Sequence, residues 1–272
     1  MEELLAELIR EVRGRYFGKH RGFVVDNQDP EQRARVRVRV PSVLGETDSA
    51  WAMPCMPFGG LSDQGMMMVP EVKAMVWVEF EAGDISQPIW TGTSWEAADS
   101  VPSEGALSEP TTRVLKTPSG HVLQFDDAEG KEQFRLHHPR GAELTIDKEG
   151  TVALTDAGGS RLKLDANKNE VVLEDSHGNS LTMDSRGVRV VDKSGNTIEM
   201  AASGVTVNAQ QIVIDGAQVK LGGLGGEPLI KGQSFLTLFA THLHTCTAPG
   251  APSSPPIPQG EMSTLSRAVT TT

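Results

Sequence analysis

Large aromatic side chains are scarce in this sequence. Only 8 Phe, 4 Trp and 1 Tyr occur among 272 residues, although 38% of the residues are hydrophobic. Because aromatic side chains usually supply much of a protein core, any core here has to be built from smaller aliphatic residues. The 28 glycines and 16 prolines favour many turns and short strands over long helices.

Cysteine is almost absent as well. Cys55 and Cys246 are the two cysteines, and two cysteines so far apart do not indicate a disulfide framework. Neither has a His–Asp set nearby in the sequence that would argue for nucleophilic catalysis. We therefore expect no cysteine chemistry.

The sequence also lacks a secretion signal and a membrane-spanning run. It has no N-terminal apolar segment with a cleavage site and no stretch of 18 apolar residues. We therefore expect a protein that stays in the cytoplasm or leaves by a route other than a signal peptide. The net charge of -11 repels phosphate backbones and anionic lipid headgroups, so we predict neither nucleic-acid binding nor passive membrane adhesion.

The first segment of the chain is amphipathic. Within residues 1–15, apolar side chains fall at helical spacing with Glu and Arg between them: Leu4, Leu5, Leu8, Ile9 and Val12. This spacing predicts an N-terminal helix. The pattern allows two roles, a helix that packs on its own domain or one that docks on another protein.

Residues 16–95 have the pattern of short β-strands. Val36, Val38 and Val40 alternate with arginines, and Val76, Val78 and Phe80 form a second alternating run, as expected of half-exposed strands. A loop rich in Gly, Met and Pro lies between the two runs. The pattern predicts a small β-barrel such as an OB-fold. Residues 96–112 are small and polar, and we interpret them as a linker.

A Gly-led motif recurs five times after the linker. Each copy reads Gly-x-x-apolar-x-apolar, and successive glycines are 21, 18, 19 and 17 residues apart: Gly120, Gly141, Gly159, Gly178 and Gly195. A simpler apolar strand follows each copy, and Ile212–Ile214 and Val219–Leu221 then continue at a spacing of seven. Matched units of this length indicate a stacked repeat architecture.

One such unit is too small to fold alone. Each strand offers only two inward apolar side chains, and burying one contributes about 1.5–3 kcal/mol. Ordering each residue costs roughly 1–2 kcal/mol, so the units need neighbours. A single-chain β-solenoid or an intertwined trimer could supply them. We favour the trimer over residues 113–232, because a unit of about 19 residues contains only two strands and cannot enclose its own core.

The order of helix, barrel, linker and repeat resembles the central spike of contractile tails. The resemblance is to the phage baseplate assembly protein V family and the related VgrG spikes of type VI secretion. It is carried by Tyr16-Phe17-Gly18, by Asp29-Pro30, by the run from Arg35 to Pro41 and by Ser49-Ala50-Trp51, and it ends at Gly83-Asp84, Pro88, Gly92 and Trp95. It implies an all-β protein with an N-terminal helix, an OB-fold and a homotrimeric triple-stranded β-helix.

The resemblance also implies a function and partners. Such a spike is a structural part without enzymatic activity, which sits in a virion tail baseplate or contractile injection particle assembled in the bacterial cytoplasm. It docks on a baseplate hub protein through its OB-fold and punctures the target cell envelope with its shaft. Some family members carry a lysozyme domain between barrel and shaft, but the segment from Trp95 to Gly120 is too short for one. Only about 15 residues precede the barrel, so we expect a separate hub protein.

His242 and His244 form the one metal-like spacing in the sequence. Three chains would bring six imidazoles to the axis, and six ligands suit an octahedral iron ion better than tetrahedral zinc. Some spikes of the family end in such a His-x-His iron site. Here 28 residues follow His244, rich in Pro and Ser, so the alternative is that residues 233–272 bind a separate PAAR-like tip protein.

Other candidate sites have simpler interpretations. Asp126, Asp147, Asp165 and Asp184 recur at the same place in the repeat, and we interpret them as turn caps rather than a calcium ladder. We expect His137-His138 to be exposed and not catalytic. Met66-Met67-Met68 is either an adaptable contact surface or part of the barrel packing.

Two alternative functions remain open from the sequence. One is an OB-fold module that binds single-stranded nucleic acid or saccharide, which needs a basic groove with exposed aromatic side chains. The other is a polysaccharide-degrading enzyme, which needs clustered carboxylates.

Overall fold

The structure is a computed structural model of the 272-residue chain, and it describes residues 12, 14–217 and 232–241. The chain divides into two compact units, residues 1–208 and residues 209–272. The predicted helix at 1–15 lies almost wholly outside the described residues. No helix of the described part is both long and apolar enough to cross a membrane.

The first unit contains two sheets. The strands of the first are β1 (His20–Asp26), β2 (Arg37–Arg39), β3 (Met53–Pro54), β4 (Met75–Phe80) and β5 (Pro88–Thr93). Short helical turns lie at Pro41–Leu44, Glu81–Gly83 and Ala98–Ser100. The strands of the second sheet are β6 (Thr112–Lys116), β7 (Val122–Asp126), β8 (Gln133–His137), β9 (Glu143–Ile146), β10 (Val152–Thr155), β11 (Arg161–Asp165), β12 (Glu170–Glu174), β13 (Ser180–Asp184), β14 (Gly187–Val191), β15 (Thr197–Ala201) and β16 (Gly204–Asn208).

The first sheet is the predicted OB-like barrel. Its strand order is β2-β1-β4-β5-β3, with β3 parallel to β5 and the other pairs antiparallel. The predicted alternation is confirmed, since Val36, Val38 and Val40 are fully buried while the arginines between them are half-exposed. The core is rich in valine, as the shortage of aromatic residues predicted, and Phe80 and Trp90 are its large rings.

The second sheet, here called the long sheet, is an antiparallel meander of eleven strands. Each strand pairs with its neighbours in sequence, from β6 at one end to β16 at the other. The five glycines of the predicted motif all close hairpins with φ between 84° and 93°, a backbone conformation that glycine adopts without a steric penalty. The mostly-β fold with an OB-like domain and a long repeat sheet is therefore confirmed.

The strands of the long sheet pair with one another within a single chain, which differs from the expectation based on the sequence. The sequence led us to expect strand edges paired between intertwined chains. In the structure the backbone hydrogen bonds of β7–β15 are satisfied inside the chain, because hairpins bring consecutive strands together at little loop-closure cost. None of the described residues of the first unit covers one face of the long sheet.

Two further segments differ from the sequence-based expectation, and one predicted strand cannot be compared with the structure. Ile212–Ile214 forms no strand; residues 209–214 contain none of the glycines that close the earlier hairpins. Val219–Leu221 lies outside the described residues. A helix spans Gly232–Thr241, where Phe235 and Phe239 stack one turn apart with ring centroids 5.8 Å from each other.

The predicted linker is partly fixed to the long sheet. The Lys116 ammonium lies 2.8 Å from a carboxylate oxygen of Glu104, and Gly105 lies against the Val114 side chain. Val114 and Lys116 share one face of β6, because alternate residues of a strand point the same way. The middle of the linker, at Glu104 and Gly105, therefore packs on that face.

Candidate assembly surfaces

Two rows of side chains cross all eleven strands on one face of the long sheet. The paired residues of the first row are Leu115, Leu123, Leu136, Leu144, Leu154, Leu162, Leu173, Leu181, Val190, Ile198 and Val207. Those of the second row are Arg113, Phe125, Phe134, Ile146, Val152, Leu164, Val171, Met183, Val188, Met200 and Val205. Arg113 is the one polar member of either row. We call this surface the apolar face.

The apolar face is not covered by any described part of the first unit. Leu154 is 50% exposed, Leu173 49% and Val205 67%, which are high values for aliphatic side chains in a regular sheet. Monomeric proteins rarely expose a continuous apolar surface of this extent. The apolar face is therefore a candidate interface.

The opposite face is polar and its charges are neutralised locally. Arg135 lies 2.7 Å from Glu143 and Arg189 lies 2.7 Å from Glu199, in each case across a pair of neighbouring strands. Cross-strand pairs of opposite charge stabilise a sheet modestly. Most side chains of this face are polar or charged, in contrast to those of the apolar face.

The hairpin turns lie along the two edges of the long sheet. Five turns of identical length form what we call the first edge: residues 117–121, 138–142, 156–160, 175–179 and 192–196. The second edge consists of residues 127–132, 147–151, 166–169, 185–186 and 202–203. In every first-edge turn the first side chain accepts a hydrogen bond from a backbone N–H further along the turn.

Three first-edge turns use an aspartate for this contact and two do not. In the fourth turn, Asp175 Oδ1 accepts from the N–H groups of His177 and Asn179 at 2.9 and 2.8 Å. In the first turn the acceptor is Thr117 Oγ1, and in the second it is His138 Nδ1, each at 3.1 Å. The first two turns of this edge therefore hold the same geometry without a carboxylate.

Acid should weaken the aspartate turns. Hydrogen bonds from the side-chain amide and backbone of Asn179 and from His177 lower the pKa of Asp175 to about 2. A carboxyl whose folded pKa is depressed stabilises the fold above its unfolded pKa of about 3.9 and loses that contribution as pH falls toward the folded value. We expect the free energy of unfolding of the long sheet to fall between about pH 4 and pH 2.

The measurement is urea unfolding at pH 7 and pH 3 for the natural chain and for Asp175→Thr. Threonine copies the acceptor of the first turn, Thr117, and does not titrate. The variant should therefore lose less stability on acidification than the natural chain. An equal loss in both proteins would contradict the role given to Asp175.

The recurring aspartates of the repeat are turn caps at three of four positions. Asp147, Asp165 and Asp184 each accept backbone N–H hydrogen bonds from the following turn. Asp126 instead accepts from Thr112 Oγ1 and Gln124 Nε2, because the turn after it is longer. Within the described ranges, no group of three or more His, Cys, Asp or Glu side chains could hold a metal ion.

Both His137 and His138 were predicted to be exposed, and the structure confirms this for His138 alone. His138 lies in a first-edge turn, exposed, with its ring 4.9 Å from that of His121. His137 is half-buried on the polar face, 3.3 Å from Glu143. His242 and His244 lie outside the described residues, so the iron site stays a prediction that elemental analysis of the purified protein would test.

The arginine run of the OB domain does not form an open basic groove. Arg35 makes a buried, bidentate pair with Asp29, whose side chain is 4% exposed, and this pair holds the pKa of Asp29 well below its usual range. Arg39 pairs with Asp48, and Arg37 donates to the Ser49 carbonyl. A nucleic-acid groove needs cations free to meet phosphates, so these contacts weigh against the ligand-binding alternative.

The methionine loop of the OB domain is a surface feature. Met66, Met67 and Met68 are 44%, 68% and 48% exposed, and Phe58 and Leu61 in the same loop are more than half exposed. Barrel packing was one of the two interpretations of these methionines, and their exposure favours the other, a contact surface.

Comparison with known families supports the resemblance. Residues 20–95 match the profile of the type VI secretion system/phage-baseplate injector OB domain. Residues 20–95 are therefore similar to an injector OB domain, and the predicted resemblance to the baseplate and VgrG spike family is confirmed.

Several curated relatives are spike proteins. The chain is 32% identical over 127 residues to the type VI secretion system spike protein VgrG3 of Vibrio cholerae, covering 43% of this chain and 12% of the relative. It is 27% identical over 116 residues to the spike protein VgrG1a of Pseudomonas aeruginosa, covering 40% and 18%. The actin cross-linking toxin VgrG1 of Vibrio cholerae is 30% identical over 129 residues, covering 44% and 12%.

These matches span only about an eighth to a sixth of the relatives' length. The toxin activity named for one relative is a property of that protein. A solved structure of the SAS-4 TCP domain of Drosophila melanogaster aligns with 70% of this chain and 90% of its own length, at 9% identity and a TM-score of 0.25. A score this low supports no inference about the fold.

Proposed function

We propose that the chain is a structural subunit of the central spike of a contractile injection machine and that three copies form its shaft. The observation that carries the proposal is the apolar face, two side chains wide and eleven strands long, which no described part of the first unit covers. A second apolar surface of the same width is needed to bury this face, and the apolar face of another copy of the chain provides one.

Simple geometry supports three copies. A strand of five residues is about 17 Å long, and sheets pack about 10 Å apart. A triangle with sides of about 17 Å has its centre about 5 Å from each side, which is half the sheet spacing. Three long sheets therefore enclose an axis at the distance where inward side chains meet. Eleven strands at about 4.8 Å give a shaft roughly 48 Å long.

Such a shaft suits a mechanical role. All inner strands are hydrogen-bonded on both sides. With their apolar faces buried against one another, the three chains would unfold only together. The OB domain would dock on a hub protein, with the exposed methionine loop as its adaptable contact. The shaft would pierce the target envelope without catalysis, and the 233–272 region would hold iron or a PAAR-like tip protein.

The mass of the purified protein tests the proposal. Native mass spectrometry should give three times the 29.2 kDa chain mass, and the complex should resist detergent without heating. A monomer of 29.2 kDa or a face-to-face dimer would refute the shaft.

A further inference from the structure

The two edges of the long sheet are offset by one strand. The first-edge turns join β6 to β7, β8 to β9 and so on, whereas the second-edge turns join β7 to β8, β9 to β10 and so on. Turns on the two edges therefore alternate in height. Successive turns on one edge are two strand spacings apart, about 9.6 Å. A turn on the second edge therefore lies level with the gap between two turns on the first edge.

Rotational symmetry brings unlike edges together. In a three-fold assembly whose axis runs along the shaft, each corner joins the first edge of one protomer to the second edge of the next. Rotation about this axis leaves the height of every strand unchanged. The one-strand offset then lets the turns of two neighbouring protomers interdigitate at the corner instead of colliding.

The corner is distinguished by its charges at the end of the shaft that contains β6. The second-edge turn 127–132 has three acidic residues and one basic residue, Lys131. The first-edge turns on either side of its height are 117–121 and 138–142, which contain Arg140, His121 and His138 but no acidic residue. These are the two turns that use Thr117 and His138 where the other three use aspartate.

Glu129 and Arg140 are among the charges of these turns that form no ion pair with any described residue. Asp127 is paired with Arg113, and Lys148 contributes to a lowered pKa of Glu132, whose larger cause is hydrogen bonding to backbone N–H groups. The guanidinium of Arg140 and the carboxylate of Glu129, by contrast, form no ion pair within 14–217 or with the other described residues. Both side chains are exposed at turns.

We infer that the acidic turn 127–132 of one protomer inserts between turns 117–121 and 138–142 of the next, where Glu129 meets Arg140. This inference rests on the proposed trimer and specifies which surfaces of neighbouring protomers meet. The partner is a second copy of this chain. The contact fixes the register of the three sheets along the shaft, because charge complementarity specifies alignment more than affinity.

Cross-linking tests the contact between edges. Ser119→Cys and Ala128→Cys are placed together in a chain in which Cys55 and Cys246 are replaced by serine. Within one chain the two positions lie on opposite edges, about 17 Å apart across a strand. A short bismaleimide reagent, spanning about half that strand length, should therefore join only neighbouring protomers, and denaturing gels should show covalent trimers.

The matched control pairs Ser119→Cys with Ser203→Cys, which lies on the second edge at the far end of the sheet. This pair should give no cross-linked trimer. Absence of cross-linking for Ser119 and Ala128 in a protein whose mass is trimeric would overturn the edge contact and leave the trimer standing. A monomeric mass would instead overturn the proposed function itself.

Charge reversal tests the pairing of Glu129 with Arg140. Arg140→Glu and Glu129→Lys should each lower the temperature at which the detergent-resistant trimer dissociates by a few degrees. The double variant should recover most of the loss, because the pair is restored with its charges exchanged. Lys193→Glu combined with Glu129→Lys is the control, and its effects should add. Additive effects in the Arg140 and Glu129 pair would overturn the electrostatic contact.

Discussion

Replacing Leu154 with aspartate is expected to abolish the trimer while leaving the chain soluble. In a single chain Leu154 is half exposed, so a carboxylate there would remain hydrated. In the proposed shaft it would be buried among leucines without a partner. An uncompensated buried charge costs about 3–5 kcal/mol for each chain, and the symmetric assembly would carry it three times. Native mass spectrometry of the purified variant should therefore show monomers.

Ala153→Asp is the matched control. Ala153 is the preceding residue of β10 and points to the polar face, where its cross-strand neighbours are Thr145 and Lys163. The same charge on this face should leave the trimer intact. If Leu154→Asp also remained trimeric, the apolar face would not be the interface and the proposed shaft would be wrong.

Replacing Gly187 with alanine is expected to disrupt the hairpin between β14 and β15. Gly187 has φ of 140°, and a Cβ atom there would lie 1.8 Å from the carbonyl oxygen of Met200. A backbone atom cannot be displaced that far without breaking strand pairing on both sides. Backbone strain alone costs about 1–3 kcal/mol, and the lost ladder adds to it. We expect a loss of unfolding free energy of at least about 3 kcal/mol.

Gly204→Ala separates the clash from the strain. Gly204 begins β16 as Gly187 begins β14, and its φ is 132°, but nothing lies within 4 Å of its Cβ position. Urea unfolding of the two variants should therefore show the smaller loss for Gly204→Ala. Equal losses would mean that the close approach of Met200 to Gly187 has no energetic consequence.

The repeat was predictable because its signals are local. Alternation with a period of two assigns side chains to one face of a strand, and the glycines with positive φ mark where strands end. The same alternation located the valine core around Val36, Val38 and Val40. The turn-capping role of Asp147, Asp165 and Asp184 followed from short-range backbone geometry. Asp126 departs from it because the turn after it is longer.

Other features depend on contacts that no local pattern specifies. The helix at Gly232–Thr241 was missed, although Phe235 and Phe239 stand at helical spacing. The ligand-binding alternative needed a basic groove, and only the structure showed that Arg35 and Arg39 are paired with Asp29 and Asp48. The role of the methionines at 66–68 could not be settled by composition, because exposure depends on what packs above a loop.

The sequence by itself determined that the aromatic-poor chain builds a valine-rich barrel and a repeat of thin strands. It determined where each strand turns and which side chains share a face. Only the tertiary structure decided that consecutive strands pair within one chain, because pairing depends on register between separate segments. That register aligns Leu115 through Val207 into one unbroken apolar row, and the continuity of the row across eleven strands is what turns isolated apolar positions into an assembly surface.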